Sequence, residues 1–157
     1  LLSYKACLIY LSVCLLAMIL IKVAVGVILN DQKNQVFLTK RKSTQDLAGL
    51  WEFPGGKLEA SEAPHNALKR ELKEEVGIDV TKCEALLVKT HHYQHKSVEL
   101  HCFVITQYQG EIAPQEGQEG KWVNIDKLDT EIMPEANQEI IETLKQFMST
   151  KVTRSHA

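Results

Sequence analysis

Apolar residues run almost unbroken over residues 6–21 and then give way to alternating and periodic patterns that predict a chain of mixed strands and helices. Residues 21–29 and 35–41 are β-like runs. Between them, Asn30-Asp31-Gln32-Lys33-Asn34 favours a turn, which predicts a hairpin. A polar loop follows over residues 42–48, and residues 50–53 are a short apolar piece stopped by Pro54-Gly55-Gly56. Ser61 then offers a helix N-cap, with Glu62 and Pro64 in the first turn, and the helix is predicted to run to Val76 with Gly77 as its C-cap. Residues 84–93 and 98–108 predict two further strands, the second placing Val98, Leu100, Cys102 and Val104 on one face. Residues 121–124 predict a short strand. Ile140, Ile141, Leu144, Phe147 and Met148 give residues 135–148 helical spacing, with fraying expected from Ser149 onward. The order β, β, loop, helix, β, β, β, helix implies a mixed sheet with helices against it. The domain reading is an apolar segment over residues 1–18, one folded domain over 19–150 and a frayed tail over 151–157.

The length of 157 residues suits a single core. The 18 Lys and Arg balance 20 Asp and Glu, so there is no basic excess to track a nucleic-acid backbone, and direct nucleic-acid binding is not expected. A small anionic ligand would need a local device such as a metal ion. Cys7, Cys14, Cys83 and Cys102 lack CxxC spacing and read as reduced thiols in a cytoplasmic protein. The apolar run over 6–21 is ~16 residues, short of the roughly 20 a membrane helix needs. Three readings fit it: a membrane anchor, an export signal, or translated sequence ahead of a start at Met18.

The central helix carries the chemistry. Glu71, Glu74 and Glu75 are spaced three and four apart and share one face, while Leu68, Leu72 and Val76 form an adjacent stripe suited to packing on a sheet. Three ionised carboxylates so close repel one another, a cost that a divalent cation removes, and Mg²⁺ is the usual choice for oxygen ligands acting with phosphates. The plainer reading is a solvated acidic face partnered by Lys69, Arg70 and Lys73. Ahead of the helix, Pro54-Gly55-Gly56-Lys57 allows close backbone approach, but its spacing is not that of a P-loop.

In these residues the chain resembles the Nudix hydrolases. Their box, G-x5-E-x7-R-E-U-x-E-E-x-G-U with U a bulky aliphatic residue, is met in register by Gly56, Glu62, Arg70, Glu71, Leu72, Glu74, Glu75, Gly77 and Ile78. The resemblance implies an α/β/α sandwich with a mixed sheet. It also implies Mg²⁺ (Mn²⁺ as substitute) held by Glu71, Glu74 and Glu75 with the Gly55 carbonyl. Arg70 would orient the glutamates, and Glu62 would be structural. The implied reaction is attack of water on a nucleoside diphosphate derivative.

Over residues 23–148 the likeness extends to the MutT branch, which hydrolyses oxidised purine nucleoside triphosphates. Ala24-Val25-Gly26-Val27-Ile28, Phe37-Leu38-Thr39-Lys40-Arg41, Glu116-Gly117-Gln118 and Pro134-Glu135-Ala136-Asn137 carry it. By position, Glu116 is the extra carboxylate, a metal ligand or the general base, with Glu119 its rival and Glu71 the other candidate base. Asn137 would read the purine edge, and Arg41 and Phe53 would line the cleft. The plain alternatives are a helix cap for Asn137, core for Phe53 and a solvated strand residue for Arg41. Where the branch has an aromatic, an Asp and an Arg near the base, this chain has Tyr93, His95 and Lys96, so only the aromatic is kept. His91, His92, His95 and His101 lack zinc spacing. The expected protein is a monomer without an obligate protein partner, taking 8-oxo-dGTP to 8-oxo-dGMP and pyrophosphate. An ADP-ribose hydrolase and a non-catalytic nucleotide-sensing module are the alternatives.

Overall fold

The computed structural model describes residues 19–154. Strands are β1 (Ile19–Ile28), β2 (Gln35–Lys40), β3 (Trp51–Glu52), β4 (Gly55–Lys57), β5 (Asp79–His92), β6 (Lys96–Gln109) and β7 (Gly120–Asn124). The helices are α1 (Pro64–Val76) and α2 (Gln138–Arg154), with 3₁₀ turns at Ile125–Thr130 and Glu135–Asn137. The first sheet has the order β4-β1-β6-β5, with β1 and β6 parallel and the outer pairs antiparallel. A second, antiparallel sheet has the order β3-β2-β7.

Alternation along β1 divides the core in two. Ala24 and Ile28 face α1, joining Ala67, Leu68, Leu72 and Val76. Val25, Val27 and Leu29 face the other way, joining Val36, Leu38 and the α2 residues Ile140, Ile141 and Leu144. Burial on both faces is what a strand between two helical layers requires. The expected sandwich and mixed sheet are present, with the β3-β2-β7 sheet as an addition. Gly26 sits where α1 crosses: a Cβ there would lie 2.8 Å from Leu72 Cδ1, so its absence lets the helix close on the sheet.

Three local expectations need correction. Residues 21–29 and 35–41 turn back on each other but do not form a hairpin sheet. The two strands share only a bridge at Leu29 and Val36, because β1 takes β6 and β4 as neighbours while β2 takes β7 and β3. The turn between them stands on Asn30, whose Oδ1 accepts the amides of Asn34 and Gln35 at 3.0 Å each. Ser61 does not cap α1: the helix starts at Pro64 after an extended Ala63 (φ −73°, ψ 143°). The residue before a proline is driven out of helical space, which stops the helix from reaching back. The closing helix does not stop at 148: α2 continues past Ser149 to Arg154, and the remaining residues of the tail lie outside those described.

The C-terminus of α1 ends as expected, with Gly77 at φ 78° and its amide bonded to the carbonyls of Leu72 and Lys73. The 98–104 alternation is also as expected: Leu100, Cys102 and Val104 are buried together, with Val98 packed against them. Cys83 and Cys102 are free thiols. Among the described residues no helix is long and apolar enough to cross a membrane. Residues 19–21 at the end of the apolar run lie in β1, and the rest of that run, with Cys7 and Cys14, falls outside the described residues.

Candidate active site

The carboxylate face of α1 looks onto β4, because the helix stripe Leu68-Leu72-Val76 is committed to the sheet. Arg70 organises its near end. Its Nε and Nη2 donate to the two oxygens of Glu62 at 3.0 and 2.8 Å, and Nη2 also donates to the Lys57 carbonyl at 3.1 Å. The remaining arm, Nη1, reaches Glu71 Oε1 at 2.6 Å and lies 3.7 Å from Glu74 Oε2. Glu62 itself accepts the Glu59 amide at 2.9 Å, and its Arg70 bonds hold its carboxyl below the ordinary value. Fork-on-fork pairing of this kind fixes the guanidinium plane, which a lysine cannot do. Arg70→Lys is therefore expected to cost about 1–2 kcal/mol in a urea titration, and to combine less than additively with Glu62→Gln.

Glu71 lies against Gly56, where a Cβ would stand 2.2 Å from the Glu71 carboxyl carbon. Glu75 is the deepest of the three. Its Oε1 accepts from Thr39 Oγ1 at 3.0 Å and its Oε2 from the Gly55 amide at 2.9 Å. Burial pushes its carboxyl up to about 7, only partly offset by those two bonds, and the charges of Glu52 and Glu116 push the same way. Glu52 is raised by its own burial, with Arg41 opposing.

The loop before β7 brings Glu116 toward this group. Gln118 ties the loop to the helix: its Oε1 accepts the Glu116 amide at 3.0 Å and its Nε2 donates to the Glu75 carbonyl at 3.4 Å. The Gln115 amide also donates to the Glu75 carbonyl, at 2.8 Å. The Glu116 carboxylate meets Lys42 at 2.9 Å, and Glu119 is turned away onto Lys40.

Among the described residues no three His, Cys, Asp or Glu side chains converge into a closed metal cage. Glu71 is turned to Arg70, Glu75 to Gly55 and Thr39, and Glu116 to Lys42. The residues nonetheless fit a hard divalent cation. The donors are all oxygen, the missing Cβ of Gly56 leaves room for the Glu71 carboxylate, and Glu75 is a half-buried carboxylate short of positive charge. The histidines do not gather: His92 pairs with Ser97 at 2.8 Å, His101 with Glu99 at 2.7 Å, and His91 meets the Tyr93 ring edge-on.

The other expected residues are placed unevenly. Arg41 is not a solvated strand residue: it bonds Glu52 through Nη1 and the Asp46 carbonyl through Nε at 2.7 Å. Phe53 is 4% exposed and packed in the α2-side core rather than lining an open cleft. Tyr93 and Lys96 close the β5–β6 turn, where the Tyr93 amide donates to the Lys96 carbonyl at 2.8 Å. Lys96 Nζ lies 5.8 Å over the Tyr93 ring and 2.8 Å from Asp46, whose carboxyl it lowers. Asn137 is 8% exposed at the end of a 3₁₀ turn, where its backbone amide donates to the Pro134 carbonyl at 2.9 Å; it caps no helix through its side chain, and its side-chain amide has no hydrogen-bond partner among the described residues. Thr39, Glu52, Lys42 and Gln118 were not expected at the site. Thr39 and Gln118 left a trace in the sequence, both lying in runs that carry the MutT likeness, and Thr39 also as a polar residue continuing an apolar strand.

A carboxylate helix seated against a Gly-Gly strand inside an α/β/α sandwich defines a NUDIX domain, and the model of that family, described as NUDIX domain, matches residues 24–143. The chain belongs to the NUDIX domain family. Within it the likeness is to MutT-type hydrolases. The 8-oxo-dGTP diphosphatase of Haemophilus influenzae is 41% identical over 125 residues, covering 80% of this chain and 91% of that protein. That of Proteus vulgaris is 43% identical over 95 residues, covering 60% and 84%. A solved MutT structure, from work on Aliivibrio salmonicida and Vibrio cholerae, has a TM-score of 0.70 at 35% identity, covering 80% of this chain and 96% of that one. Members of the family generally need a divalent metal.

Proposed function

We propose that this chain is a Mg²⁺-dependent nucleoside triphosphate pyrophosphohydrolase that converts 8-oxo-dGTP to 8-oxo-dGMP and pyrophosphate, clearing oxidised nucleotides from the pool. Mn²⁺ is the expected substitute. The observation that carries the reading is the set of carboxylates Glu71, Glu74 and Glu75 on one face of α1 against Gly55 and Gly56, with Glu116 brought up on the opposing loop. The named relatives add the substrate class.

Glu71, Glu74, Glu75 and Glu116, with the Gly55 carbonyl, would hold the metal. When bound it supplies neutralisation of phosphate charge and a lowered pKa for bound water. Water attacks the β-phosphorus and the bridging oxygen leaves with the α-phosphate, giving the monophosphate and pyrophosphate. The proton of the attacking water passes to a carboxylate oxygen of this set. Arg70 keeps Glu71 and Glu74 in place by anchoring its other edge on Glu62 and the Lys57 carbonyl. The free amide of Asn137 can donate and accept at once, as a purine edge demands. The protein acts on free nucleotides as a monomer in this reading.

A panel of 8-oxo-dGTP, dGTP, ADP-ribose and diadenosine tetraphosphate with Mg²⁺ tests the proposal. Preference for 8-oxo-dGTP is expected, and preference for ADP-ribose would overturn the substrate while leaving the family intact. Asn137→Ala is expected to raise KM for 8-oxo-dGTP about tenfold or more while moving the melting temperature little, because no protein hydrogen bond is lost. A collapse in stability instead would return Asn137 to a structural role.

A further inference from the structure

Two ion pairs join the exit of β2 to the loop carrying Glu116. Lys40 Nζ lies 2.9 Å from Glu119 Oε1, and Lys42 Nζ lies 2.9 Å from Glu116 Oε2. The backbone keeps the two segments in step as far as Lys40: Thr39 pairs with Gly120, and the Lys40 amide donates to the Glu119 carbonyl at 2.9 Å. Past that point the chains part around a cleft of about 620 Å³ lined by Lys40, Arg41, Lys42, Gly117, Gln118 and Glu119, among others. Gly117, at φ 78°, has no other residue within 4 Å of where a Cβ would stand, so the Glu116 turn packs against nothing there.

Pairs this open add little to stability: the Lys42 and Glu116 side chains are 37% and 50% exposed. Their consequence is where they put charge. Gln118 holds the Glu116 backbone against the Glu75 carbonyl, but the Glu116 carboxylate itself is held by Lys42 alone among the described residues. The four carboxylates Glu71, Glu74, Glu75 and Glu116 thus have two resident cations. Arg70 serves Glu71 and Glu74, and Lys42 serves Glu116. The two cations are not equivalent. Arg70 is locked from behind by Glu62 and the Lys57 carbonyl, whereas the Lys42 ammonium has one partner and a flexible stem.

We infer that Lys42 is an exchangeable internal cation for Glu116, a positioning residue that competes with a divalent metal ion for that carboxylate. This rests on the reading of Glu116 as a metal ligand. Filling the site with a divalent ion requires Lys42 to release Glu116, and a nearby ammonium also repels the incoming charge. The competition keeps Glu116 close to its working position in the metal-free protein while lowering the affinity for metal alone.

The test is calorimetric titration of Mn²⁺, and separately of Mg²⁺, into the metal-free full chain without nucleotide. Lys42→Ala is expected to bind either ion about three- to tenfold more tightly than the unaltered protein at low salt, a gain that shrinks in high salt. Lys42→Arg should stay close to the unaltered value. In a Glu116→Gln background, Lys42→Ala should change affinity by less than about twofold, since the competition has lost its object. If Glu116→Gln weakens metal binding but Lys42→Ala leaves it unchanged or weaker, the inference about Lys42 fails and Glu116 keeps its place. An equal gain from Lys42→Ala in both backgrounds would overturn it too, by showing a general field effect. If Glu116→Gln leaves metal affinity untouched, the ligand reading of Glu116 is the one that falls, and this inference with it.

Discussion

Glu75→Gln is expected to remove turnover by at least about 10³-fold while leaving the fold intact and, without metal at alkaline pH, more stable. Several kcal/mol of charge stabilisation pass through a metal-bound carboxylate, and each 1.4 kcal/mol is tenfold in rate. The amide has the shape of the carboxylate and keeps its local bonds. Its oxygen accepts the Gly55 amide, and its NH₂ donates to Thr39 Oγ1, which turns to accept. What it lacks is the buried charge. The carboxyl of Glu75 sits at about 7 in the folded chain against an ordinary 4.5, so the folded state favours the protonated form. That contribution to stability is fully present below about pH 4.5 and is lost as pH rises through about 7. The gap corresponds to a differential on the order of 3 kcal/mol. Denaturation in EDTA should therefore show the unaltered protein weakening between pH 4.5 and 8 relative to the variant. Added Mg²⁺ should restore the unaltered protein and do little for the variant. Matching pH profiles would mean the carboxyl is not desolvated, and an active variant would remove Glu75 from the metal set.

Parallel behaviour is not expected of Glu116. Its carboxylate stands half-exposed beside Lys42, so its substitution should move metal affinity with little effect on stability. That contrast follows from depth. Glu75 is wrapped by β2 and β4, while Glu116 stands on a loop anchored by backbone and Gln118 bonds.

Features written in local spacing were legible in the sequence, and those set by distant partners were not. The face shared by Glu71, Glu74 and Glu75, the buried stripe of α1 and the Gly77 cap all follow from a 3.6-residue period and one glycine. Alternation likewise revealed the inner face of β6. Ser61 is a good cap by type, yet Pro64 and the extended Ala63 set the start of α1. The turn residues 30–34 signalled a reversal correctly, but which sheet each strand joins depends on β6 and β7, far along the chain. Contacts beyond local spacing also set Arg41, Phe53 and Lys96: Arg41 lines the cleft beside Lys42 while paired with Glu52, Phe53 lies in the core and Lys96 bonds Asp46. Lys42 left no local signal, because its meaning is a contact with a residue 74 positions away.

Adjacent alanine substitutions at Gly55 and Gly56 are expected to fail in opposite ways. At Gly55, φ is 154° and a Cβ would stand 2.1 Å from the Ala24 carbonyl oxygen and 3.0 Å from Val25 Cα. Both atoms are backbone of β1, the strand to which β4 is paired, so nothing can move without opening that pairing. Gly55→Ala should cost about 3 kcal/mol or more in a urea titration, and it should take the Gly55 amide away from Glu75. At Gly56 a Cβ meets only the end of the Glu71 side chain, 2.2 Å from its carboxyl carbon. A side chain can swing aside, so stability should fall by less than about 1.5 kcal/mol. The displaced carboxylate, however, leaves both Arg70 and the position it would occupy on the metal. A shift of about 1 Å in a positioned group is worth on the order of 10²-fold in rate, and Gly56→Ala should lose about that in kcat. Comparing melting temperature with kcat for the two variants separates the roles. Gly55 is required for β4 to lie against β1, and Gly56 is required for Glu71 to lie against β4. Should Gly56→Ala melt early with its residual kcat intact, Glu71 would be a structural carboxylate and the metal set would have to be drawn without it.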